Sequence, residues 1–261
     1  MSFCMPLHVY LIVALLSSGV AAGLSFKAVN HGQRSRFTVL LMFLSFAAQS
    51  MVLSQRGEIR GQCPLGDMGE IVVFLAWSMS IFYLIIGSTY RVSLLGMFSA
   101  PLVSVLMLVA LSPGAFEVSP ARALTVDPWY ETHAALSVLS YGAFALAAIA
   151  GVMFRVLNAK LKQGRTSSGL FAKMPPVTSL VASMVRLTGV GTLVLTGGVV
   201  CALFMPHESE SSWLHLWVAV GVWLSYTVLL TIWQVRGMTP SRMAISVVLM
   251  FVLSLSVFAV L

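Results

Sequence analysis

Charged residues are scarce in this sequence. They make up 9% of its 261 residues, against about a quarter in a soluble globular domain. No polar stretch is long enough to fold as a soluble domain, and 59% of the residues are hydrophobic. Eight acidic residues face fifteen basic ones, which gives a net charge of +7. These proportions exclude a soluble enzyme and argue against nucleic acid as a partner. They indicate a chain embedded in a lipid bilayer.

Cysteine and the common catalytic motifs are also missing or rare. Cys4, Cys63 and Cys201 are too few for a disulfide framework or a zinc motif. The sequence shows no phosphate-binding loop, nucleophile–base pair or metal-ligand cluster. We therefore expect that the protein is not an enzyme, and the sequence assigns no redox role to the cysteines.

The sequence does contain eight apolar runs, most of them close to the roughly 20 residues that span a bilayer as a helix. Because backbone polar groups in lipid must be satisfied within the segment, each run is expected to be helical. The predicted fold is therefore all-α, a single polytopic transmembrane domain over residues 1–261 with about eight helices. The runs are Met5–Phe26, Phe37–Leu53, Met68–Tyr90, Val92–Leu111, His133–Phe154, Ser183–Phe204, Trp213–Val235 and Pro240–Leu261.

The charges between these runs predict the orientation of the chain. With the N-terminus outside, twelve of the fifteen Lys and Arg fall on the inner side and all eight Asp and Glu fall outside. The positive-inside rule favours this arrangement, so both termini are expected on the outer, non-cytoplasmic side. The first cation is Lys27, and a run without a positive start is interpreted as an anchor rather than a cleaved signal peptide. The expected location is a bacterial cytoplasmic membrane.

Two histidines at predicted outer helix ends are candidate ligands. His133 and His215 each start a predicted helix, with Trp129 before the first and Trp213 and Trp217 flanking the second. Neutral imidazoles that face one apolar, aromatic-walled slot can ligate haem iron. The alternative is that each histidine is a hydrogen-bonded interfacial side chain, and that the tryptophans belong to the usual aromatic belt of the membrane surface.

One acidic residue lies just inside the apolar boundary of the third run. Glu70 shares a helix face with Phe74 and Trp77. A carboxylate there is costly unless it is paired or functional, although the first turn of a helix also stabilises an anion. Arg56 and Arg60, which are predicted to lie in the preceding outer loop, either pair with Glu70 or meet haem propionates.

The order and spacing of several motifs resemble a known family. The motifs are Gly61-Gln62-Cys63-Pro64-Leu65, Glu70, Phe74-Leu75-Ala76-Trp77, Leu95-Gly96, Pro101, Trp129, His133, Ser140-Tyr141-Gly142 and Val185-Arg186-Leu187-Thr188-Gly189. Together they resemble the cytochrome c assembly family of the CcsA/ResC type, from about Arg56 to the C-terminus. In that family a Gly-x-x-Pro-Leu loop leads into a Glu-x-x-x-Phe-Leu-x-Trp helix, and a later helix begins with an external haem-ligating histidine. The resemblance implies that role for His133.

The sequence departs from the full-length synthetases of this family at one place. Their tryptophan-rich external loop, Trp-Gly-x-x-Trp-x-Trp-Asp, is replaced here by the short link Met205–Ser212. Eight residues reach under roughly 30 Å even when extended, so nothing is left to fold into a haem platform. The chain is therefore similar to the shorter, eight-helix, HemX-like branch of the family.

The resemblance implies a haem-handling protein that binds haem b non-covalently near the outer leaflet, for cytochrome c biogenesis or haem homeostasis. His133 and His215 would ligate the iron between the three tryptophans, while Arg56, Arg60 or Arg122 would meet the propionates near Glu70. Other cytochrome c maturation or haem-pathway proteins, and the lipid bilayer, are the expected partners. Two alternatives stay open: a scaffold or regulatory subunit that binds proteins without haem, and a small-molecule transporter. No run has an ionisable residue at its centre, which counts against transport.

Overall fold

The structure, a computed structural model, describes residues 6–31, 36–90, 93–117, 127–162, 177–205 and 210–255. Within these residues the regular structure is helical, with no strand. The helices are α1 (Leu7–His31), α2 (Arg36–Arg60), α3 (Met68–Tyr90), α4 (Ser93–Ala110), α5 (Pro128–Lys162), α6 (Val177–Leu203), α7 (Glu210–Arg236) and α8 (Pro240–Ser254). Six of them are long and apolar enough to span a membrane, and the apolar parts of α4 and α8 are shorter. The predicted all-α, polytopic membrane fold is confirmed, whereas its orientation stays a prediction.

The second helix is longer than its apolar run. α2 continues past the predicted end at Leu53 and includes both Arg56 and Arg60. The prediction that these arginines lie in a loop is therefore wrong, since the chain leaves the helix only at Gly61, where φ is 67°. Hydropathy misses the last turns of α2 because it scores a buried, paired arginine as if it were solvated.

Three later helices begin before their predicted first residues, at Pro128 for α5, Val177 for α6 and Glu210 for α7. His133 and His215 therefore lie inside their helices rather than at the helix starts. For α5, the side chain of Asp127 accepts a hydrogen bond from the backbone N–H of Trp129 at 2.9 Å. Pro128 fits the first helical position, where no backbone N–H is needed.

The chain divides into two compact units, and the first contains α1–α4 with the segments that follow α2 and α4. Its helices meet through small and hydroxyl-bearing side chains. Ser45 of α2 donates to the Ala14 carbonyl of α1 at 3.0 Å, and Ser104 of α4 donates to Ser18 of α1 at 2.9 Å. Close packing and interhelical hydrogen bonds of this kind hold helices together where lipid removes the hydrophobic driving force.

The second unit contains α5–α8, and glycines of α6 allow that helix to pack closely on α5. A Cβ added to Gly191 would lie 2.6 Å from the Phe144 ring, and one added to Gly198 would lie 3.2 Å from Ser137 Oγ. Phe144 in turn stacks on Tyr226 of α7, with ring centroids 3.8 Å apart. Small residues that let two backbones approach are typical of membrane helix pairs. The close approach of Gly198 to Ser137 sets the position of the first turns of α5 against the last turns of α6.

Candidate functional site

Five charged residues of the first unit form a group that we call the charge cluster: Arg56, Arg60, Asp67, Glu70 and Glu117. The Glu70 side chain is 0% exposed, and those of the two arginines and Asp67 are also buried, whereas that of Glu117 is 64% exposed. A charge taken out of water is tolerated only when it is paired and hydrogen-bonded. The bonds within the charge cluster therefore decide what it can do.

Each buried arginine of the charge cluster contacts both buried carboxylates. Arg56 Nε and Arg60 Nε donate to the same Glu70 oxygen, Oε1, at 2.6 and 2.8 Å. The Nη2 groups of the two arginines donate to the two carboxylate oxygens of Asp67. Of the two roles that the sequence leaves open for the arginines, pairing with Glu70 is present. Contact with haem propionates stays a prediction, and it would require these charge-assisted bonds to open.

Local sequence spacing explains how the charge cluster forms. Arg56 and Arg60 are four residues apart in α2, so their side chains share one helix face. Glu70 lies in the first turn of α3, where its Oε2 accepts hydrogen bonds from the backbone N–H groups of Gly66 at 2.9 Å and Asp67 at 3.2 Å. The bond from the Asp67 N–H is the half of a capping box in which a glutamate side chain reaches back to the residue before the helix. Glu70 therefore both caps α3 and pairs with arginine.

The segment after α4 completes the charge cluster. The backbone N–H of Glu117 donates to Asp67 Oδ2 at 3.1 Å, and Arg56 Nη1 donates to the Glu117 carbonyl at 3.1 Å. The Arg56 guanidinium also lies over the Phe116 ring, 5.3 Å from its centroid, which is a cation–π contact. The charge cluster thus fixes the end of α2, the start of α3 and the segment after α4 to one another.

Asp67 is buried and lies in the connection between α2 and α3. Burial raises the pKa of its carboxyl group, but the hydrogen bonds from the Glu117 backbone and from Arg60 lower it by more. The net pKa is therefore below the usual aspartate value of about 3.9. Asp67 therefore stays ionised at neutral pH, and its negative charge compensates the positive charges of Arg56 and Arg60.

The face of α3 below Glu70 is aromatic. Trp77 Nε1 donates to Ser50 Oγ of α2 at 2.9 Å, and the Trp77 ring stacks on Phe46 of α2 with centroids 5.4 Å apart. The Phe74 ring lies 5.4 Å from Trp77. The predicted common face of Glu70, Phe74 and Trp77 is thus confirmed, and these residues dock α3 on α2.

In the second unit, the candidate ligand is His133, in the second turn of α5. The residue is 5% exposed, and its Nδ1 lies 2.9 Å from the carbonyl oxygen of Gly198 in α6. Because a carbonyl only accepts hydrogen bonds, Nδ1 carries the proton, and the neutral ring then has its lone pair on Nε2. Metal-ligating histidines are usually oriented in this way, with the other ring N–H donated to a carbonyl or carboxylate.

The unprotonated Nε2 of His133 is chemically suited to haem iron, which accepts imidazole nitrogens as ligands. Burial sets a condition on that fit, because a porphyrin reaches Nε2 only when the side chains that cover the ring move. Among the described residues, no three or more His, Cys, Asp and Glu side chains lie together as in a metal-ion site.

The three tryptophans predicted as apolar walls lie at the surface of the second unit. Trp129, Trp213 and Trp217 are between 45% and 66% exposed. Trp129 precedes His133 by one helical turn, and its ring centroid lies 4.9 Å from that of Phe204 at the end of α6. Trp129 and His133 thus both lie at the end of α5 that packs near the end of α6. The tryptophan side chain is exposed, and the histidine is buried.

Two predicted site residues fall outside what the structure describes. His215 belongs to α7, but its side chain is not among the described ones, and Arg122 lies in the undescribed residues 118–126. The undescribed residues 206–209 likewise make up half of the short link Met205–Ser212. Ligation of one haem by His133 and His215 together therefore stays a prediction.

Sequence reasoning missed two residues that define these sites. Asp67 could have been found from the pattern Asp67-x-x-Glu70, because an acceptor at the residue before a helix and a glutamate three residues later form a capping box. No local signal identifies Gly198, since its role depends on which helix packs on α5. Its carbonyl sets the tautomer of His133 only through tertiary structure.

The part of the chain that matches a known protein family includes residues of both sites. Residues 65–261, about three quarters of the chain, match the family described as Cytochrome C assembly protein. This range includes Asp67 and Glu70 of the charge cluster, together with His133 and Gly198. The two arginines of α2 precede it.

Individual relatives are distant in sequence. The cytochrome c biogenesis protein CcsA of Pyropia yezoensis is 25% identical over 151 residues, 57% of this chain and 46% of the relative. CcsA of Chlamydomonas reinhardtii is 23% identical over 217 residues, 79% and 60% of the two chains. Protein HemX of Brevibacillus brevis is 22% identical over 169 residues, 65% and 62%. The chain thus spans less than two thirds of the length of each relative. Because the family match extends over most of its residues, the chain belongs to the Cytochrome C assembly protein family.

Proposed function

We propose that this membrane protein handles haem in cytochrome c biogenesis or haem homeostasis, and that His133 ligates the iron of haem b. The observation that carries the proposal is the geometry of His133, whose Nδ1–H is donated to the Gly198 carbonyl at 2.9 Å. The family membership supports it, as do relatives named for cytochrome c biogenesis. A scaffold that uses its basic loops alone would not need a buried imidazole oriented in this way.

We assign a separate role in haem binding to each group of residues. Haem, when bound, supplies the iron–porphyrin group that cytochromes c carry. His133 would provide a nitrogen ligand to the haem iron, and the Gly198 carbonyl selects the tautomer and fixes the ring. His215 is proposed as the second ligand, and Trp129, Trp213 and Trp217 as apolar contacts on the outer side. The charge cluster positions the helix ends, because its two arginines are paired with Asp67 and Glu70, and contact of Arg56 or Arg60 with haem propionates would need these pairs to open.

The test of this function is the reduced-minus-oxidised absorbance spectrum of the detergent-purified protein. The proposal expects a haem Soret band that weakens in His133→Ala and in His215→Ala. His31→Ala is the matched control, because His31 ends α1, in the other unit, and its band should be unchanged. Loss of the band in His31→Ala alone would make the proposed ligands wrong. A pigment-free protein that purifies with a stoichiometric protein partner would favour the scaffold instead.

The same proposal predicts that the protein does not attach haem covalently to cytochrome c by itself. The link Met205–Ser212 is too short for a haem platform, and Glu208 and Glu210 would repel propionates. The protein should be expressed with a reporter apocytochrome in a host without its own maturation system. A denaturing gel stained for haem should then show no covalent product. A stained reporter band that depends on His133 would show synthetase activity and contradict the prediction.

A further inference from the structure

The second unit has an open apolar groove at the end where α6 and α8 begin, which we call the α6 groove. Its volume is about 510 Å³, within the roughly 300–1,000 Å³ of typical ligand pockets. One of its lining residues is charged, and the rest are mainly aliphatic and aromatic. Lining residues are Phe154 of α5, Val181, Val185 and Arg186 of α6, Trp233 of α7 and Pro240 of α8.

The α6 groove lies at the level of a membrane surface. α6 has 27 residues and is therefore about 40 Å long, roughly 10 Å more than the hydrocarbon core. Both ends of the helix thus reach the headgroup layers. Arg186 is exposed and lies nine residues after Val177. Because helical side chains lean toward the helix start, its guanidinium is directed toward the end of the unit where α6 begins. Trp233 lies at the other wall, and tryptophan favours the membrane interface.

Further cations lie at the end of the second unit where the α6 groove is found. Three exposed arginines each lie within three residues of a lining position: Arg155 of α5, Arg236 of α7 and Arg242 of α8. Arg155 Nη1 donates to Ser241 Oγ at 2.8 Å, which holds the guanidinium between α5 and α8. This end of the unit therefore carries arginines from several helices, and we call Arg155, Arg236 and Arg242 the rim of the α6 groove.

The acidic residues described in the second unit lie at its opposite end, where α5 and α7 begin. They are Asp127, Glu131 and Glu210. Because none of the described acids of the second unit lies at this end, the described residues of the unit give the rim a net positive charge. A positive rim around an apolar groove is complementary to a molecule that carries both an anionic group and a hydrocarbon chain.

We propose that the α6 groove binds one anionic phospholipid from the adjoining leaflet. Arg186 and the arginines of the rim bind the headgroup phosphate, since a guanidinium offers a bidentate fork that matches phosphate oxygens. The aliphatic wall formed by Val181 and Val185 contacts the upper acyl chain. A zwitterionic lipid adds a positive group that the rim repels, and a soluble phosphate ester lacks the chain that the groove accepts.

Thermal unfolding of the purified protein in detergent tests this site. Phosphatidylglycerol should raise the melting temperature, whereas phosphatidylcholine and glycerol phosphate should not. In Arg186→Gln, half-maximal stabilisation should require roughly tenfold more phosphatidylglycerol, as expected for the loss of one charge-assisted hydrogen bond. Ala182→Phe, at another lining position, fills the groove without changing the charge and should also weaken the response. Lys162→Gln, at the exposed end of α5, is the control and should keep it.

Three results would overturn the proposal. One is equal stabilisation by phosphatidylglycerol and phosphatidylcholine, and another is stabilisation by glycerol phosphate as strong as that by the lipid. The third is an unchanged lipid response in Ala182→Phe, which would show that the groove itself holds nothing. The third comparison decides the matter even if Arg186→Gln fails to fold, because it leaves every arginine in place.

Discussion

The two units of this protein satisfy their buried polar groups in different ways. In the first unit, Asp67 and Glu70 are compensated by two arginines, and each buried charge contacts at least two charges of opposite sign. In the second unit, the Nδ1–H of His133 is donated to the Gly198 carbonyl at 2.9 Å, which selects the tautomer with Nε2 as the unprotonated nitrogen of the neutral ring. The first arrangement is suited to fixing chain segments in place. The second is suited to ligating a group that the chain itself does not supply.

The largest expected effect is on the charge cluster. Glu70→Gln keeps the shape of the side chain but leaves Arg56 and Arg60 with one buried carboxylate, which should cost about 3–5 kcal/mol of unfolding free energy. Glu58→Gln is the control, because Glu58 is exposed on the same helix as the arginines, and it should change stability by less than about 0.5 kcal/mol. Thermal unfolding in detergent measures both. A loss of only about 0.3–1 kcal/mol in Glu70→Gln would reduce the role of Glu70 to a helix-dipole effect.

A smaller effect is expected at the glycines that join α5 and α6. In Gly191→Ala the new Cβ would lie 2.6 Å from the Phe144 ring, and overpacking of this kind costs about 1–3 kcal/mol. Gly189→Ala, two residues earlier in α6, meets no atom within 4 Å and should be neutral or stabilising by about 0.5–1 kcal/mol. If the two variants melt at the same temperature, the close approach of α5 and α6 is not what holds the second unit together.

The smallest effect is the pH dependence that Asp67 contributes. Its pKa is lower in the folded protein than the usual value of about 3.9. The stabilisation by the ionised carboxylate is therefore complete above that value and is lost as the pH falls through the folded pKa. The difference in melting temperature between the wild type and Asp67→Asn should be constant from pH 7 to about pH 5 and shrink below pH 4. A difference that does not shrink in acid would mean that the carboxylate charge does not stabilise the charge cluster.

The helical fold could be predicted from the sequence because most apolar runs have about the length and composition of a membrane-spanning helix. The ends of several helices could not be predicted in this way. α2 reaches Arg60 because the arginines are paired with carboxylates that follow in the chain, and hydropathy carries no information on pairing. α5 begins before its run because Asp127 and Pro128 start the helix in the polar layer.

The sites were predictable to different degrees for the same physical reason. Glu70, Phe74 and Trp77 share a face by helix geometry alone, so that part is confirmed. Whether Glu70 would bind Arg56 and Arg60 depended on how α3 docks on α2, which the sequence left open. The contact of His133 with Gly198 joins residues 65 positions apart, and only the packing of α5 on α6 reveals it.

The central claim, that His133 is a haem ligand, is tested most directly by replacing the side chain with a free ligand. Hemin is titrated into purified wild type, His133→Gly and the control His31→Gly, with and without added imidazole. The account predicts that His133→Gly loses the six-coordinate spectrum of the wild type and that imidazole restores it, while His31→Gly needs no rescue. Hemin binding by His133→Gly with the wild-type spectrum and affinity, and with no response to imidazole, would contradict the account.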